Sequence, residues 1–234
     1  MNFETWTQSR LLAHGHNPGP IGGAFGVRSR EALKAFQRAN GLPVSGLADT
    51  ATVAALRTNP EHETKPVSKA PAELMPPWMA EMYRKKGLHE VRDNAALSAW
   101  LRIGKFLGNP SRLPWCGDAI ESAIVKTLPD EPVPDNPFWA QGWAKFGIKA
   151  GPSDIGAIGV IRWSSKAGHV GIVAEYDSRR RRVKLLGGNQ SNAITLSWFD
   201  LNDFIAFRWP RTYPMKAYPA LVESGASGSK GGTR

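Results

Sequence analysis

The segment Gly168-His169-Val170-Gly171-Ile172-Val173-Ala174-Glu175 sets Val170, Ile172 and Ala174 against His169, Gly171, Val173 and Glu175 with a period of two. That alternation predicts a strand with one face on a core. Val160-Ile161-Arg162-Trp163 just before it is short and apolar, and residues 183–186, 193–197 and 204–209 read as further strands. Upstream the period changes. Met79, Met82 and Tyr83 share one helical face before Gly87. Leu97, Trp100 and Leu101, with Phe106 beyond them, form the next stripe, which ends near Gly108-Asn109-Pro110. A third helix starts at or just before Cys116 and turns Ala119, Ile120, Ala123 and Ile124 inward. Helices first and an antiparallel sheet second make this region α+β.

The first 58 residues are organised differently. Residues 8–14 carry Leu11 and Leu12 and stop at Gly15, which reads as a short helix. Asn17-Pro18-Gly19-Pro20-Ile21-Gly22-Gly23 is a run of turn signals. Residues 29–39 form the clearest helix, with Ala32, Leu33 and Phe36 on one buried stripe and Asn40-Gly41 as its stop. Asp49 is placed to cap a last helix containing Val53 and Leu56. Three short helices bury a small core, adequate for a binding module and poor for a catalytic cleft. Residues 59–76 hold Pro60, Pro66, Pro71 and Pro76 among Glu, Lys, Ser and Ala, the composition of a semi-extended linker. Residues 216–234 become Gly/Ser-rich from Ser224 and are expected to be a disordered tail.

Composition narrows the function classes. The chain has 234 residues, 41% hydrophobic and 21% charged, enough for a packed core and unlike a disordered protein. Thirty Lys and Arg against twenty Asp and Glu favour an anionic partner. The excess is spread out, with six basic and three acidic residues in 1–58 and nineteen and thirteen in 77–215. A dedicated nucleic-acid groove is therefore not expected. One cysteine excludes an intramolecular disulfide and a Cys-only zinc site. No run of about 18 apolar residues is present, so no membrane insertion is expected. Met1-Asn2-Phe3-Glu4-Thr5-Trp6 lacks a basic start followed by an apolar stretch, so synthesis in the cytoplasm without a signal peptide is expected. His14 and His16 have no neighbouring Cys and few carboxylates, and no metal or other cofactor is expected. Residues 179–182, four arginines, read as a solvated hairpin turn whose charge is open to envelope phosphates. Carboxylates such as Glu81 and Glu90 carry no glycosidase signal by themselves.

The chemistry concentrates around the one cysteine. In Leu113-Pro114-Trp115-Cys116-Gly117-Asp118-Ala119, Pro114 keeps Leu113 out of helix, so the helix begins beside the thiol. Free amides and the positive end of the helix dipole there favour a thiolate. The competing reading is an inert buried thiol. His169 opens its strand, where an imidazole can point along a cleft and take the thiol proton. Gly187-Gly188-Asn189-Gln190-Ser191-Asn192 lies on the following strand, which a hairpin turn near 179–182 returns beside His169. Asn189 then holds one ring nitrogen and aims the other at sulfur, as in Cys-His-Asn sites, with Gln190 and Asn192 as alternatives. Trp115 and Trp163 flank this site and either contact substrate or pack the cleft wall.

Taken in order, Pro114-Trp115-Cys116, Gly168-His169-Val170-Gly171-Ile172-Val173 and Leu186-Gly187-Gly188-Asn189-Gln190 resemble the CHAP/NlpC-type cysteine peptidase superfamily, the papain-like peptidoglycan amidases and endopeptidases. The resemblance covers roughly residues 77–210. It implies a papain-like catalytic domain over 77–215, with Cys116, His169 and Asn189 catalytic and Trp115, Trp163 and Gln190 toward substrate. The chain departs from that pattern at Trp115, where many of these domains carry Gln, at Ile155-Gly156-Ala157, where many carry Gly-Asp, and at Gly187, where many carry Glu.

Phe25-Gly26-Val27-Arg28-Ser29-Arg30 and Ala35-Phe36-Gln37-Arg38-Ala39-Asn40-Gly41-Leu42-Pro43-Val44-Ser45-Gly46 are similar to the three-helix peptidoglycan-binding domain of cell-wall hydrolases, which often has Asp-Gly where this chain has Gly22-Gly23. The two resemblances point to one polymer. They imply a monomeric, endolysin-like peptidoglycan hydrolase acting on the periplasmic or cell-wall polymer after release, with 1–58 binding the wall and 77–215 cutting an amide. The alternatives are a secreted antibacterial effector with the same chemistry and a non-catalytic cell-wall-binding protein.

Overall fold

In the computed structural model, which describes residues 1–58 and 71–221, the Asn2 side chain accepts from the Thr5 N–H at 2.8 Å and starts α1, Phe3–Ala13. The helix begins well before the Leu11 and Leu12 pattern because this cap and the buried Trp6 set its first turn. Leu12 itself points outward, 53% exposed. α2, Val27–Ala39, buries the predicted stripe of Ala32, Leu33 and Phe36. α3, Thr50–Leu56, is capped by Asp49, whose Oδ1 accepts from the Thr52 N–H at 2.8 Å. Trp6, Leu11, Phe25, Leu33, Phe36 and Leu56 make one core.

A core this small needs polar stitching, and Gln37 supplies it. Its buried carboxamide accepts from the Gly46 N–H at 2.8 Å and donates toward Leu47 O at 2.9 Å. Ser45 Oγ and Thr52 Oγ1 lie within 3.0 Å of the same nitrogen. One side chain thus ties α2, the following turn and α3 together.

The chain divides into two compact units, 1–77 and 78–234. Most of the expected linker, at 59–70, and most of the expected tail, at 222–234, lie outside the described residues. The second unit carries α4, Pro77–Arg84, α5, Asn94–Leu101, and α6, Cys116–Thr127, then a 3-10 turn at Ala140–Lys145. Six strands follow: β1, Ile148–Lys149; β2, Ile158–Arg162; β3, Gly168–Asp177; β4, Arg182–Gln190; β5, Ala193–Asp200; and β6, Phe204–Trp209. They form one open antiparallel sheet in the order β1-β6-β2-β3-β4-β5. The region is α+β, as its periodicities predict. The 3-10 turn and β1 have no counterpart in that reading, being too short to show a period.

Burial on β3 does not follow the expected alternation. Val173 is as fully buried as Ile172, because this inner strand is covered on both faces. α6 packs across β3 and β4 with Ala119, Ile120, Ala123 and Ile124 at no exposure. Its polar side fastens the preceding loop: Glu121 accepts from the Lys105 N–H at 2.8 Å and Asp118 from the Leu107 N–H at 3.1 Å. Glu81, likewise buried, accepts from the Trp100 indole at 2.9 Å and pairs with Arg84 at 2.8 Å.

The start of α6 is set by a close approach. A Cβ on Gly117 would stand 2.0 Å from the Pro137 carbonyl oxygen. That oxygen cannot retreat freely, since it accepts from the Trp143 indole at 2.9 Å. Two effects compete in Gly117→Ala. Alanine is better than glycine in a helix by about 1 kcal/mol, whereas overpacking against fixed backbone costs about 1–3 kcal/mol. The clash is expected to win, lowering the urea midpoint of the variant followed by tryptophan fluorescence. An unchanged or raised midpoint would mean that the 137–138 backbone yields.

Candidate active site

Trp115 precedes α6 at the N-cap position, and its side chain makes no cap bond. The ring is driven inward, 1% exposed, and its Nε1 donates to Glu90 Oε2 at 3.0 Å. Glu90 reaches it because residues 87–90 run beside the start of β5, with Gly87 N on Ile194 O at 2.9 Å and Glu90 N on Asn192 O at 2.8 Å. The ring lies against Gly188, where a Cβ would come within 2.5 Å of it. Trp115 therefore wedges the helix start against β4. Of the two readings left open for Trp115, this burial matches the packing one.

Cys116, the first residue of α6, is a free thiol with 6% exposure. Its own amide and those of Gly117 and Val170 approach the sulfur, as a helix start against a strand would supply. Burial outweighs them and pushes the thiol up to about 11. The expected thiolate is thus corrected to a neutral thiol: three amide dipoles recover less than the water removed. Burial also depresses His169, to about 4, despite the hydrogen bond it donates to Gln190, which favours its charged form. Both shifts favour the uncharged form of the group.

The contact with the Val170 amide sets the sulfur against the residue next to His169. On the other side of the imidazole, Nε2 lies 3.0 Å from Gln190 Oε1. The Gln190 amide cannot be turned around, because its own nitrogen donates to Thr195 O at 2.6 Å. An oxygen facing the ring requires the proton on Nε2 and leaves Nδ1 as the bare base. The expected hairpin, with its turn between β3 and β4, is what brings this residue back to His169.

Gln190, one of the alternatives to Asn189, is thus the residue whose carboxamide meets His169. The pairing of β4 with β5 shifts between Gly187 and Gln190, and Asn189 sits in that irregularity at φ 56°. Its side chain turns instead to a small cleft of about 150 Å³ lined also by Glu90, Ser111 and Arg112. Asn192 is in the turn that follows, at φ 63°, beside Ser191 at φ 52°. Gly187 is small for a stated reason: a Cβ there would stand 2.7 Å from Gln190 Oε1 and 3.3 Å from His169 Nε2.

Trp163 lies beside His169. It is 43% exposed and stacks on the imidazole, ring centroids 6.1 Å apart at 9°. Phe199 covers the ring as well, at 5.4 Å. Gln141 was not legible beforehand. Its Nε2 donates to Ser164 O at 2.7 Å and Ala167 O at 3.1 Å, clamping the loop that leads into His169. His14 and His16, in the other unit, pack edge-on against Phe36 at 5.1 and 5.7 Å. Among the described residues no three His, Cys, Asp or Glu side chains are grouped to hold a metal ion.

The protonation states make a kinetic prediction. Only the thiolate alkylates, so iodoacetamide modification of Cys116 is expected to be slow at pH 7 and to rise about tenfold per pH unit toward pH 10. A rate already level between pH 6 and 8 would reveal a preformed thiolate and contradict the neutral pair.

Compared with known families, residues 5–56 match the peptidoglycan binding domain family. The comparison with curated proteins and the comparison with solved structures return no match. The matched span coincides with α1 to α3, so the chain carries a three-helix peptidoglycan-binding module ahead of an α+β region built on an open antiparallel sheet.

Proposed function

We propose that the chain is an endolysin-like peptidoglycan hydrolase, in which the N-terminal module holds the wall and Cys116 cuts an amide in its peptide part. The observation that carries the reading is the 3.0 Å contact of His169 Nε2 with Gln190 Oε1, next to the Val170 amide that meets the Cys116 sulfur. It gives an imidazole held by a carboxamide oxygen, one residue from the amide that meets the only thiol of the chain.

Because both groups rest neutral, the proton moves during attack. Sulfur adds to the amide carbonyl carbon as His169 Nδ1 takes the thiol proton. The carbonyl oxygen becomes an oxyanion, for which the Cys116 N–H at the helix start is a donor of a kind worth about 10²–10³ in rate. The Gln190 oxygen steadies the transient imidazolium. His169 then protonates the leaving amine, the C–N bond breaks and a thioester remains. Water, giving its proton to His169, releases the new carboxylate and restores the thiol. The wall-binding module raises the local substrate concentration. The net charge of +10 draws the chain to anionic envelopes in a salt-sensitive way. The same chemistry would serve a secreted antibacterial effector.

One observation favours a second reading. A thiol with 6% exposure and a pKa near 11 also fits a non-catalytic wall-binding protein. Clearing of purified sacculi separates the two. Wild type is expected to clear them, and Cys116→Ala to bind without clearing. Gln190→Ala should lose about 10²-fold or more, the scale of a mispositioned general base, while Asn189→Ala should lose less. Equal clearing by wild type and Cys116→Ala ends the cysteine mechanism, and no clearing by either leaves the wall-binding reading.

A further inference from the structure

A second cleft, of about 450 Å³, opens beside the segment that abuts the start of α6. Its size falls within the range of about 300–1,000 Å³ typical of small-ligand sites. Asn136 and Trp139 line it, and Pro137 and Phe138 between them press on Gly117, one residue from the thiol. The cleft and the nucleophile thus share one stretch of backbone. Trp139 is 49% exposed, one of the two exposed tryptophans among the described residues, along with Trp163. It is nevertheless seated, because its ring rests over Gly142, where a Cβ would come within 3.3 Å of it. The result is a fixed, flat, half-open indole.

The polar groups around it are mixed in sign. Lys145 and Arg211 face Asp135 and Glu131 across the cleft lining. Glu131 is occupied, accepting from the Arg211 and Thr212 N–H groups at 2.8 and 2.6 Å. Among the described residues neither Lys145 nor Arg211 belongs to an ion pair, and the Arg211 guanidinium makes only a 3.5 Å contact with Gly147 O. Balanced charges give no net pull on an anion. A flat aromatic face ringed by separate donors and acceptors suits a ligand that is apolar on one face and hydroxylated at its edge. That description fits a pyranose ring, whose C–H face covers an indole while its hydroxyl and acetamido groups reach outward.

We infer that this cleft is a subsite for the N-acetylated glycan strand, with Trp139 as its platform and Asn136, Lys145 and Arg211 as its hydrogen-bonding rim. The inference rests on the peptidoglycan reading above and adds which part of the polymer lies beside the nucleophile.

The test titrates the N-acetylglucosamine tetramer, a glycan without peptide, into the full-length Cys116→Ala chain by calorimetry. Binding is expected, with affinity at least tenfold lower in the Trp139→Ala double variant and several-fold lower with Lys145→Ala, whose exposed side chain leaves the fold intact. Absence of binding, or affinity equal in all three chains, overturns the subsite and assigns any binding to the N-terminal module. The two proposals fail separately. Sacculus clearing by the wild type with Trp139-independent glycan binding removes only the subsite. Trp139-dependent binding without clearing removes only the hydrolase.

Discussion

The second unit depends on three positions where no side chain fits. Gly117 meets the Pro137 carbonyl, Gly187 meets the carboxamide of Gln190, and Gly188 meets the ring of Trp115. Together they let the start of α6 settle onto β3 and β4, with the sulfur at the Val170 amide and the next residue's imidazole on the Gln190 carboxamide. Any added methyl group would stand closer than ordinary van der Waals contact, and one of these surfaces would have to shift. The arrangement is held from outside by groups that do no chemistry: Glu90 on the Trp115 indole, Trp143 on Pro137, and Gln141 on the loop before His169. Precision at the thiol is therefore a property of the whole helix–sheet contact.

That same closeness sets the electrostatics. A helix start normally lowers the pKa of a thiol. Here the amides are present, but the sulfur has lost its water, and desolvation is the larger effect. His169 is driven the other way for the same reason. The same packing that buries both groups disfavours the charged form of each.

Much of the fold was legible because it is written in short-range patterns. The stripe of Ala32, Leu33 and Phe36, the cap at Asp49 and the apolar face of α6 each follow from a few adjacent residues. The strand pattern at 168–175 marked β3 correctly, yet its outward face proved buried, since alternation reports what one face prefers and not what later packs on the other. The thiol and the imidazole stood out by residue type. Their third partner did not, because choosing between Asn189 and Gln190 required the local slip of β4 and the positive φ of Asn189. Which of the two readings of Trp115 holds was hidden for a related reason. Its neighbour Cys116 suggested a cleft, whereas Glu90, twenty-five residues earlier, takes its indole inward. Long-range polar contacts of this kind leave no periodic trace.

The seclusion of Cys116 also governs how the molecule ages in air. Sulfur climbs toward sulfenic and sulfinic acids through its ionised form, at a rate that follows access. A buried thiol with a raised pKa offers peroxide little of either, and a chain with one cysteine has no internal partner for a disulfide. Such a thiol keeps its reduced state in surroundings that would soon spend an open, ionised one.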